Sequence, residues 1–380
     1  MRIGLDMRNA GRNRTGDEAV FLALAQELPR MDGDNEYVLL VDDRSDEEMG
    51  KLRRHLGVDD HSHVSLEACG PGGKFIWNAF SAPRAARRLG LDVFHTQYIT
   101  PFGMPRDVRV VTHIHDVSFA AYPEYISCKD RLFLNMLIPR SVRSAARVIA
   151  VSEFTKREIE KYYGVPEEKI AVVPNAIDEG FEDADRSSET IARIRKKYAL
   201  PESYLLHIGT LQPRKNIPFL LRAFAEFRKR LPDVALVLTG NRNAHHFDAG
   251  IDKAIAELDL EKHVRFAGYV DAEDVPVVLS GARTAVSLSL YEGFGLPILE
   301  AFARGVPVVA SDIPPHREVA GEAAAFAKLG GVAQTADMLY ATSVEQRLRE
   351  DMAARGKERV RVFSRQRMAE AMVRVYRSFS

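Results

Sequence analysis

The sequence of 380 residues is poor in cysteine, in long apolar runs and in net charge. Cys69 and Cys128 are too few for a disulfide-stapled scaffold or a cysteine-rich metal site, so a reducing, cytoplasmic setting is expected. No apolar run is long enough to span a bilayer, and the opening MRIGLDM predicts a strand rather than a secretory signal. Lysine plus arginine and aspartate plus glutamate both number 53, so no overall field favours nucleic acid as a partner.

What the sequence does contain is an alternation of strand-like and helix-like segments. Its length exceeds the size that one hydrophobic core usually serves, so two domains are expected. The alternation runs up to a charged stretch at residues 178–198 and then restarts. This pattern predicts an α/β protein with two doubly wound parallel sheets. We expect domains at residues 1–185 and 186–360, followed by a last helix at 361–380.

A loop with two carboxylates lies in the segment YEGFGLPILEAFARGVPVVAS, residues 291–311. The runs before and within it predict a strand, a glycine loop, a short helix and a second strand. Gly293 and Gly295 allow backbone amides to turn toward a ligand, and amides at a helix start suit phosphate or hydroxyl oxygens. Glu292 and Glu300 would repel a bare phosphate, so the loop favours a ligand that also carries hydroxyls. The alternative is an ordinary strand-to-helix turn, with Glu300 on a solvated helix face.

A second loop, HIGTLQPRKN at residues 207–216, also leaves a predicted strand and enters a predicted helix. Gly209 frees the backbone, while Arg214 and Lys215 place two cations beside the helix start. Arginine offers a bidentate fork to phosphate and lysine a point charge, so the loop suits a diphosphate. The alternative is a solvated basic turn.

Together the two loops resemble the nucleotide-sugar domain of the retaining glycosyltransferases of family 4, which adopt the two-domain GT-B architecture. The family's two glutamates, separated by seven residues, are matched by Glu292 and Glu300. Its glycine loop ending in Arg-Lys-Asn is matched by Gly209 and residues 214–216. The segment VVPNAID, residues 172–178, matches the end of the family's first domain. The likeness covers nearly the whole chain.

The resemblance implies two Rossmann-like domains facing a cleft, with the C-terminal helix crossing back to the first domain. It implies that Arg214 and Lys215 hold the donor diphosphate, that Glu300 binds the ribose hydroxyls and that Glu292 contacts the donor hexose. Of these residues, Arg214, Lys215 and Glu292 are counted as catalytic. The other implied donor-binding positions are Gly16, Gly209, Asn241, Gly293, Phe294, Gly295 and Leu296.

A strand-end histidine occurs in VVTHIHDVSF, residues 110–119. The resemblance implies that His115 is catalytic and leans over the donor sugar. His113 and His115 would also suit a metal, but no third ligand is evident nearby. We expect His113 to face the opposite side of the strand, as a core histidine with a backbone partner.

The N-terminal loop departs from the family. Thr15 and Gly16 correspond to its glycine loop, but Asp17, Glu18 and Ala19 stand where relatives often have a second glycine and an aromatic residue. An acidic loop beside a diphosphate would be unfavourable unless it pointed at the acceptor.

The expected activity is retaining transfer of a hexose, with mannose mildly preferred, from a nucleoside-diphosphate sugar of guanosine or uridine. We expect no metal site and no cofactor, because the two cations of the second loop can stabilise the leaving diphosphate. Asp183 and Asp185 form an Asp-x-Asp motif, but it lies in the charged crossover and is interpreted as solvated linker. The alternatives are a sugar-nucleotide epimerase of similar architecture and an inactive partner subunit.

Two segments of the first half, residues 74–89 and 131–147, mix aromatic or aliphatic side chains with arginines. Such segments can lie on an anionic membrane surface, so we hypothesise peripheral contact with the inner face of the cytoplasmic membrane. The resemblance implies a glycan or lipid-linked acceptor bound by this half. The alternative, which we favour, is that both segments are ordinary helices packed on the sheet.

Overall fold

A computed structural model describes residues 1–12, 16–125, 128–178, 180–242 and 246–379. The chain divides into two compact units. The first comprises Met1–Ala121, Ser127–Ala176 and Phe363–Ser380, and the second comprises Tyr122–Ile126 and Ile177–Val362. No helix among the described residues is both long enough and apolar enough to cross a membrane.

Each unit contains one parallel sheet. The seven strands of the first pair in the order β3-β2-β1-β4-β5-β6-β7, and the six strands of the second in the order β10-β9-β8-β11-β12-β13. The strands of the first sheet are β1 (Arg2–Asp6), β2 (Glu36–Val41), β3 (Val64–Ala68), β4 (Val93–Gln97), β5 (Arg109–Ile114), β6 (Arg147–Ala150) and β7 (Ile170–Val172). Those of the second are β8 (Tyr204–His207), β9 (Ala235–Thr239), β10 (Val264–Gly268), β11 (Thr284–Ser287), β12 (Val308–Ser311) and β13 (Ala325–Ala327).

Helices connect the strands in both units. In the first half of the chain they are α1 (Gly16–Met31), α2 (Asp46–Leu56), α3 (Lys74–Ile76), α4 (Ala82–Arg88), α5 (Ser118–Ala121), α6 (Cys128–Ser144) and α7 (Glu153–Tyr163). In the remainder they are α8 (Gly180–Asp183), α9 (Ser188–Lys197), α10 (Ile217–Arg228), α11 (Gly250–Glu257), α12 (Val275–Ser280), α13 (Leu296–Ala303), α14 (Pro314–Ala320), α15 (Val332–Val344), α16 (Gln346–Val362) and α17 (Arg365–Arg377). A π-helical turn, Trp77–Ser81, joins α3 to α4.

Local sequence explains where these elements begin and end. β4 is buried along its whole length, as expected for a parallel strand whose two faces are both covered. The hydroxyl of Ser152 begins α7 by accepting a hydrogen bond from the amide of Thr155, and Gly164 ends it in the left-handed region at φ 62°. α16 and α17 are separate helices, because the hydroxyl of Ser364 caps the start of α17 by accepting a hydrogen bond from the amide of Arg367.

The predicted α/β architecture with two parallel sheets is confirmed. The last helix belongs to the first unit, where α17 packs on α1 and its apolar side chains join the core. The expected boundary at residue 185 lies inside the second unit, because residues 177–185 belong with it. There Arg304 donates hydrogen bonds to the carbonyls of Phe181, Glu182 and Ala184.

Candidate active site

The cationic loop of the second unit runs from the end of β8 to the start of α10. Gly209 adopts a φ of 147°, and its amide donates a 3.1 Å hydrogen bond to the hydroxyl of Thr239 at the end of β9. A Cβ on Gly240 would lie 2.4 Å from the carbonyl oxygen of Gly209, so the backbones after the two strands approach closely. Lys215 lies in a 3₁₀ turn and is only 8% exposed.

The carboxylate loop runs from β11 to α13 and is hydrogen-bonded directly to the cationic loop. The amide of Leu290 donates to the carbonyl of Arg214 at 2.8 Å, and the side chain of Asn216 donates to the carbonyl of Leu288 at 3.3 Å. Gly295 takes up a φ of 121°, and a Cβ there would lie 3.3 Å from the ring of His316. The two loops are therefore one structural assembly.

Glu292 is the centre of a buried ion cluster between these loops. Its Oε2 accepts a 2.7 Å hydrogen bond from Arg214, while its Oε1 accepts from the ammonium of Lys215 and, at 2.7 Å, from the hydroxyl of Ser289. Burial alone would raise the pKa of Glu292, but Lys215 and Arg214 outweigh it and hold that pKa well below its usual value. Arg214, Lys215 and Glu292 therefore form one cluster with a net charge of about +1, in which the carboxylate assigned to the hexose is bound to both cations assigned to the diphosphate.

Glu300 lies one turn into α13 and is half-buried rather than on a solvated face. Its carboxylate makes no hydrogen bond with any described residue. Burial raises the pKa of Glu300 to about 7. An unpaired carboxylate with this pKa can accept hydrogen bonds from ligand hydroxyls near neutral pH.

The remaining predicted donor-binding residues of the second unit follow the same two loops. Gly293 and Phe294 are buried, and Leu296 is half-buried at the first turn of α13. Asn241 is exposed directly after Gly240. The structure thus joins Arg214, Lys215 and Glu292 in one cluster and places the other predicted residues of the second unit on the segments that follow β8, β9 and β11, the ends at which parallel sheets bind ligands.

The predicted residues of the first unit lie at the carboxyl end of β5 and the start of α1. His115 is 7% exposed, and its Nδ1 lies 3.9 Å from a carboxylate oxygen of Asp17. Gly16 begins α1, whereas Thr15 lies outside the described residues. Glu18 accepts hydrogen bonds from the amides of Gly11 and Arg12 at 2.6 and 3.2 Å, so this carboxylate is bound by backbone amides that precede its own helix.

His113 does not face the opposite side of the strand, and this prediction was wrong. Side chains two residues apart on a strand share a face, and the rings of His113 and His115 stack with centroids 4.6 Å apart. His113 is fully buried, as expected of a core histidine. Its hydrogen-bond partner is the side chain of His95, at 3.4 Å, and not a backbone group.

Two buried histidines of the second unit were missed by the sequence analysis. His207 donates from Nδ1 to the carbonyl of Val286 at 3.1 Å. The hydroxyl of Ser311 donates to the carbonyl of Ser289, so it accepts from Nδ1 of His316 at 3.0 Å. Burial lowers the pKa of each histidine to about 4. His207 ends β8, which leads into the cationic loop, and this position could have identified it. His316 lies on α14 after β12, so no such signal marks it in the sequence.

The Asp-x-Asp motif has a structural role. Asp185 accepts hydrogen bonds from the amide and hydroxyl of Ser187 and from the hydroxyl of Thr190, at the start of α9. No cluster of three or more histidine, cysteine, aspartate or glutamate side chains suited to a metal ion occurs within the described ranges.

Both halves of the chain match models of glycosyltransferase families. Residues 190–359 match the family Glycosyl transferases group 1, and residues 15–181 match Glycosyltransferase Family 4. O-antigen chain mannosyltransferase B of Escherichia coli is 34% identical over 275 residues, which cover 71% of this chain and 70% of that protein. O-antigen chain mannosyltransferase RfbU of Salmonella typhimurium is 30% identical over 207 residues, which cover 54% and 53%.

Among solved structures, that of Anabaena Alr3699/HepE in complex with UDP and glucose superposes with a TM-score of 0.70 at 18% identity and covers 99% of both chains. At this identity the likeness shows a shared fold. The E. coli relative is matched over more than two thirds of its length, and both halves of the chain match glycosyltransferase families. The chain therefore belongs to the group 1 glycosyltransferases.

Proposed function

We propose that this glycosyltransferase moves a hexose, with mannose the preferred candidate, from a nucleoside-diphosphate sugar to a hydroxyl of a glycan, lipid-linked or small-molecule acceptor, with retention of configuration. The observation that carries the proposal is the cluster of Arg214, Lys215 and Glu292 in the same unit as the unpaired carboxylate of Glu300. Mannose is supported by the names of the two bacterial relatives, and guanosine and uridine remain the candidate bases.

The cluster provides charge stabilisation for a leaving diphosphate. Before the donor binds, Glu292 neutralises one of the two cations. Its ion pairs with Arg214 and Lys215 also fix both side chains in position, so neither has to reorient during the reaction. As the glycosidic bond loosens, negative charge grows on the phosphate oxygens, and fixed cations in a largely buried setting stabilise it. We infer that no divalent ion is required for this step.

The two carboxylates bind hydroxyl groups of the donor. Glu300 accepts from the ribose hydroxyls, and Glu292 offers its remaining acceptor capacity to a hydroxyl of the hexose. We retain His115 as a contact of the hexose. No side chain is assigned as a general base, because in a retaining reaction of this kind the departing phosphate oxygen takes the proton of the acceptor hydroxyl.

Ligand binding tests the donor site first. A panel of nucleoside diphosphates should include one that raises the melting temperature of the wild type. Arg214→Gln should lose that shift, since it removes a phosphate-binding fork at a half-buried position. Arg283→Gln is the matched control, because this exposed arginine directly precedes β11 and so lies at the amino-terminal ends of the strands, opposite the candidate site. Equal shifts in wild type and Arg214→Gln would contradict the assignment.

Product analysis then separates the candidate activities. The wild type should release nucleoside diphosphate from a sugar nucleotide and, with an acceptor, form a glycoside of the donor's anomeric configuration, with or without a chelator. An epimerase would convert the sugar nucleotide without forming a glycoside. An inactive partner subunit would bind the nucleotide without turnover. Inversion, or loss of activity in the chelator, would refute the mechanism.

We also propose that one face of the first unit contacts an anionic membrane surface. Phe75, Ile76, Phe80, Leu132 and Met136, here called the apolar patch, are between 47% and 72% exposed. Contact between the rings of Phe75 and Phe133, with centroids 5.3 Å apart, joins its two segments. Exposed arginines of α4 and α6 accompany it: Arg84, Arg87, Arg88 and Arg131. Apolar side chains flanked by cations suit an interface with anionic lipid.

Vesicle flotation tests this contact. The wild type should float with vesicles containing phosphatidylglycerol at low salt and stay behind with neutral vesicles. The double variant Phe75→Ser/Phe80→Ser should remain unbound, while Tyr269→Ser, which alters a 48% exposed residue of the second unit, should still float. Failure of the wild type to float would rule out the proposed contact.

A further inference from the structure

Three imidazole rings form a buried column in the first unit, here called the histidine column: His95, His113 and His115. Their side chains are 0%, 0% and 7% exposed. The rings of His95 and His113 are nearly parallel at 8°, with centroids 5.5 Å apart, and those of His113 and His115 meet at 15° and 4.6 Å. At the far end, Nδ1 of His95 lies 2.7 Å from the hydroxyl oxygen of Tyr376 on α17.

Within the described part of the chain, no hydrogen bond orients the ring of His115. The 3.9 Å separation from Asp17 is too long for one, and Nε2 has no partner among the described residues. The ring is held instead by packing on His113 and by Tyr98, whose centroid lies 5.6 Å away. The orientation of His115 therefore depends on how firmly His113 is held.

His113 is held through polar contacts that lead to the last helix. Its Nδ1 lies 3.4 Å from Nε2 of His95, which in turn contacts Tyr376. Burial lowers the pKa of His95 to about 3 and that of His113 well below its usual value, so each ring carries one N–H. The hydroxyl of Tyr376 is buried and contacts only His95 within the described part of the chain, and Nε2 of His113 at the other end is buried without a partner there, so the tautomers of the two rings set the direction of both hydrogen bonds. In either direction the two hydrogen bonds join Tyr376, His95 and His113.

We propose that Tyr376 and His95 are positioning residues for His115: through His113 they fix the surface on which the ring of His115 stacks. The inference rests on the proposed role of His115 at the donor hexose. In this proposal the last helix contributes to catalysis through one hydroxyl, which contacts His95. The sequence of that helix alone does not indicate such a role.

The test removes that hydroxyl and keeps the ring. Tyr376→Phe should lower kcat about tenfold through misorientation of His115, while the KM for the donor stays within about twofold. In ¹⁵N-histidine spectra the ring-nitrogen signals of His95, His113 and His115 should all shift. Tyr204→Phe is the matched control: it removes another buried tyrosine hydroxyl, which in the second unit donates to the carbonyl of Val278 at 2.6 Å, and it should change neither kcat nor these signals.

These measurements distinguish a failure of this inference from a failure of the proposed function. If the wild type transfers no sugar, the proposed function fails, and a shifted His115 signal in Tyr376→Phe still supports the column. Unchanged His115 signals together with an unchanged kcat in Tyr376→Phe would overturn the inference.

Discussion

Glu292 and Lys215 are both more than nine-tenths buried, and each serves as the counter-ion of the other. Replacing Glu292 leaves two uncompensated cations in a site from which water is largely excluded, and replacing Lys215 leaves Glu292 paired with Arg214 alone. Loss of activity in a single alanine variant would therefore confound loss of chemistry with loss of structure. The pair is better examined through its coupling energy.

A double-mutant cycle measures that coupling. Glu292→Gln should lower the free energy of unfolding of the second unit by about 3–5 kcal/mol, because it leaves two cations uncompensated. Lys215→Met should cost less, because Arg214 still compensates Glu292, and the double variant should lose less than the sum of the two. Hydrogen exchange of β8 and β11 amides reports this quantity. The exposed pair Glu226 and Lys229 is the control, with an expected coupling of about 0.2–1 kcal/mol. Additive losses at Glu292 and Lys215 would mean that the ion pair is not coupled.

The raised pKa of Glu300 predicts opposite effects of pH on stability and on binding. Between about pH 4.5 and 7 the folded state holds a proton that the unfolded state has lost, so the stability of the unliganded protein should fall as pH rises through this window. Ribose hydroxyls favour the ionised carboxylate, so donor affinity should increase over the same range, by at most about tenfold per pH unit, and level off above pH 7.

Titration calorimetry with an intact sugar nucleotide checks the binding side, because its diphosphate, esterified at both ends, does not itself titrate near neutral pH. Glu300→Gln should flatten the pH dependence, and a donor lacking the ribose hydroxyls should flatten it in the wild type. The same slope in wild type and Glu300→Gln would remove Glu300 from the ribose site.

At the scale of elements, the order of strands and helices and the loops that follow strands were predictable. Alternating apolar runs identify a parallel sheet, and such sheets bind ligands at their carboxyl ends, so loops carrying Arg214, Lys215 and Glu292 could be selected from the sequence. The ion cluster could not, because Lys215 and Glu292 are 77 residues apart and meet only because β8 pairs with β11. The histidine column depends likewise on the pairing of β4 with β5.

The short helix α8 owes its position to one arginine of the second unit. Arg304 is 3% exposed and donates hydrogen bonds to the carbonyls of Phe181, Glu182 and Ala184, while its Nε donates to the hydroxyl of Ser280. Carbonyls at the end of a helix lack partners within the helix, and a guanidinium can supply several at once.

Arg304→Met should therefore remove the hydrogen bonds that hold α8 in position. Hydrogen bonds from a charged donor contribute about 1.5–3 kcal/mol each, so amides of residues 180–185 should exchange at least about tenfold faster. Arg349→Met is the control: this half-buried arginine donates to the carbonyls of Arg283 and Thr342 and does not contact α8. Equal exchange of residues 180–185 in both variants would show that Arg304 does not hold this segment.

At the scale of the whole molecule, residues of the last helix pack into the same hydrophobic core as residues from the beginning of the chain. Met368, Met372, Val375 and Tyr376 of α17 are at most 9% exposed and belong to the same apolar cluster as β1 and α1. At about 1.5–3 kcal/mol for each buried side chain, they contribute roughly 6–12 kcal/mol, which is comparable with the whole stability of an ordinary domain. The first unit is therefore incomplete until synthesis has reached its last helix.

A chain that stops after Val362 should consequently lack a folded first unit, while β8 and β9, whose core lies within residues 177–362, keep their hydrogen-exchange protection. Trp77, the single tryptophan, is fully buried in the first unit, so its fluorescence should shift to the red in the truncated chain. Met372→Leu in the full chain conserves volume and should cost less than about 1.5 kcal/mol with no such shift. Native-like emission from the truncated chain would show that the sheet and α1 form a stable core without α17.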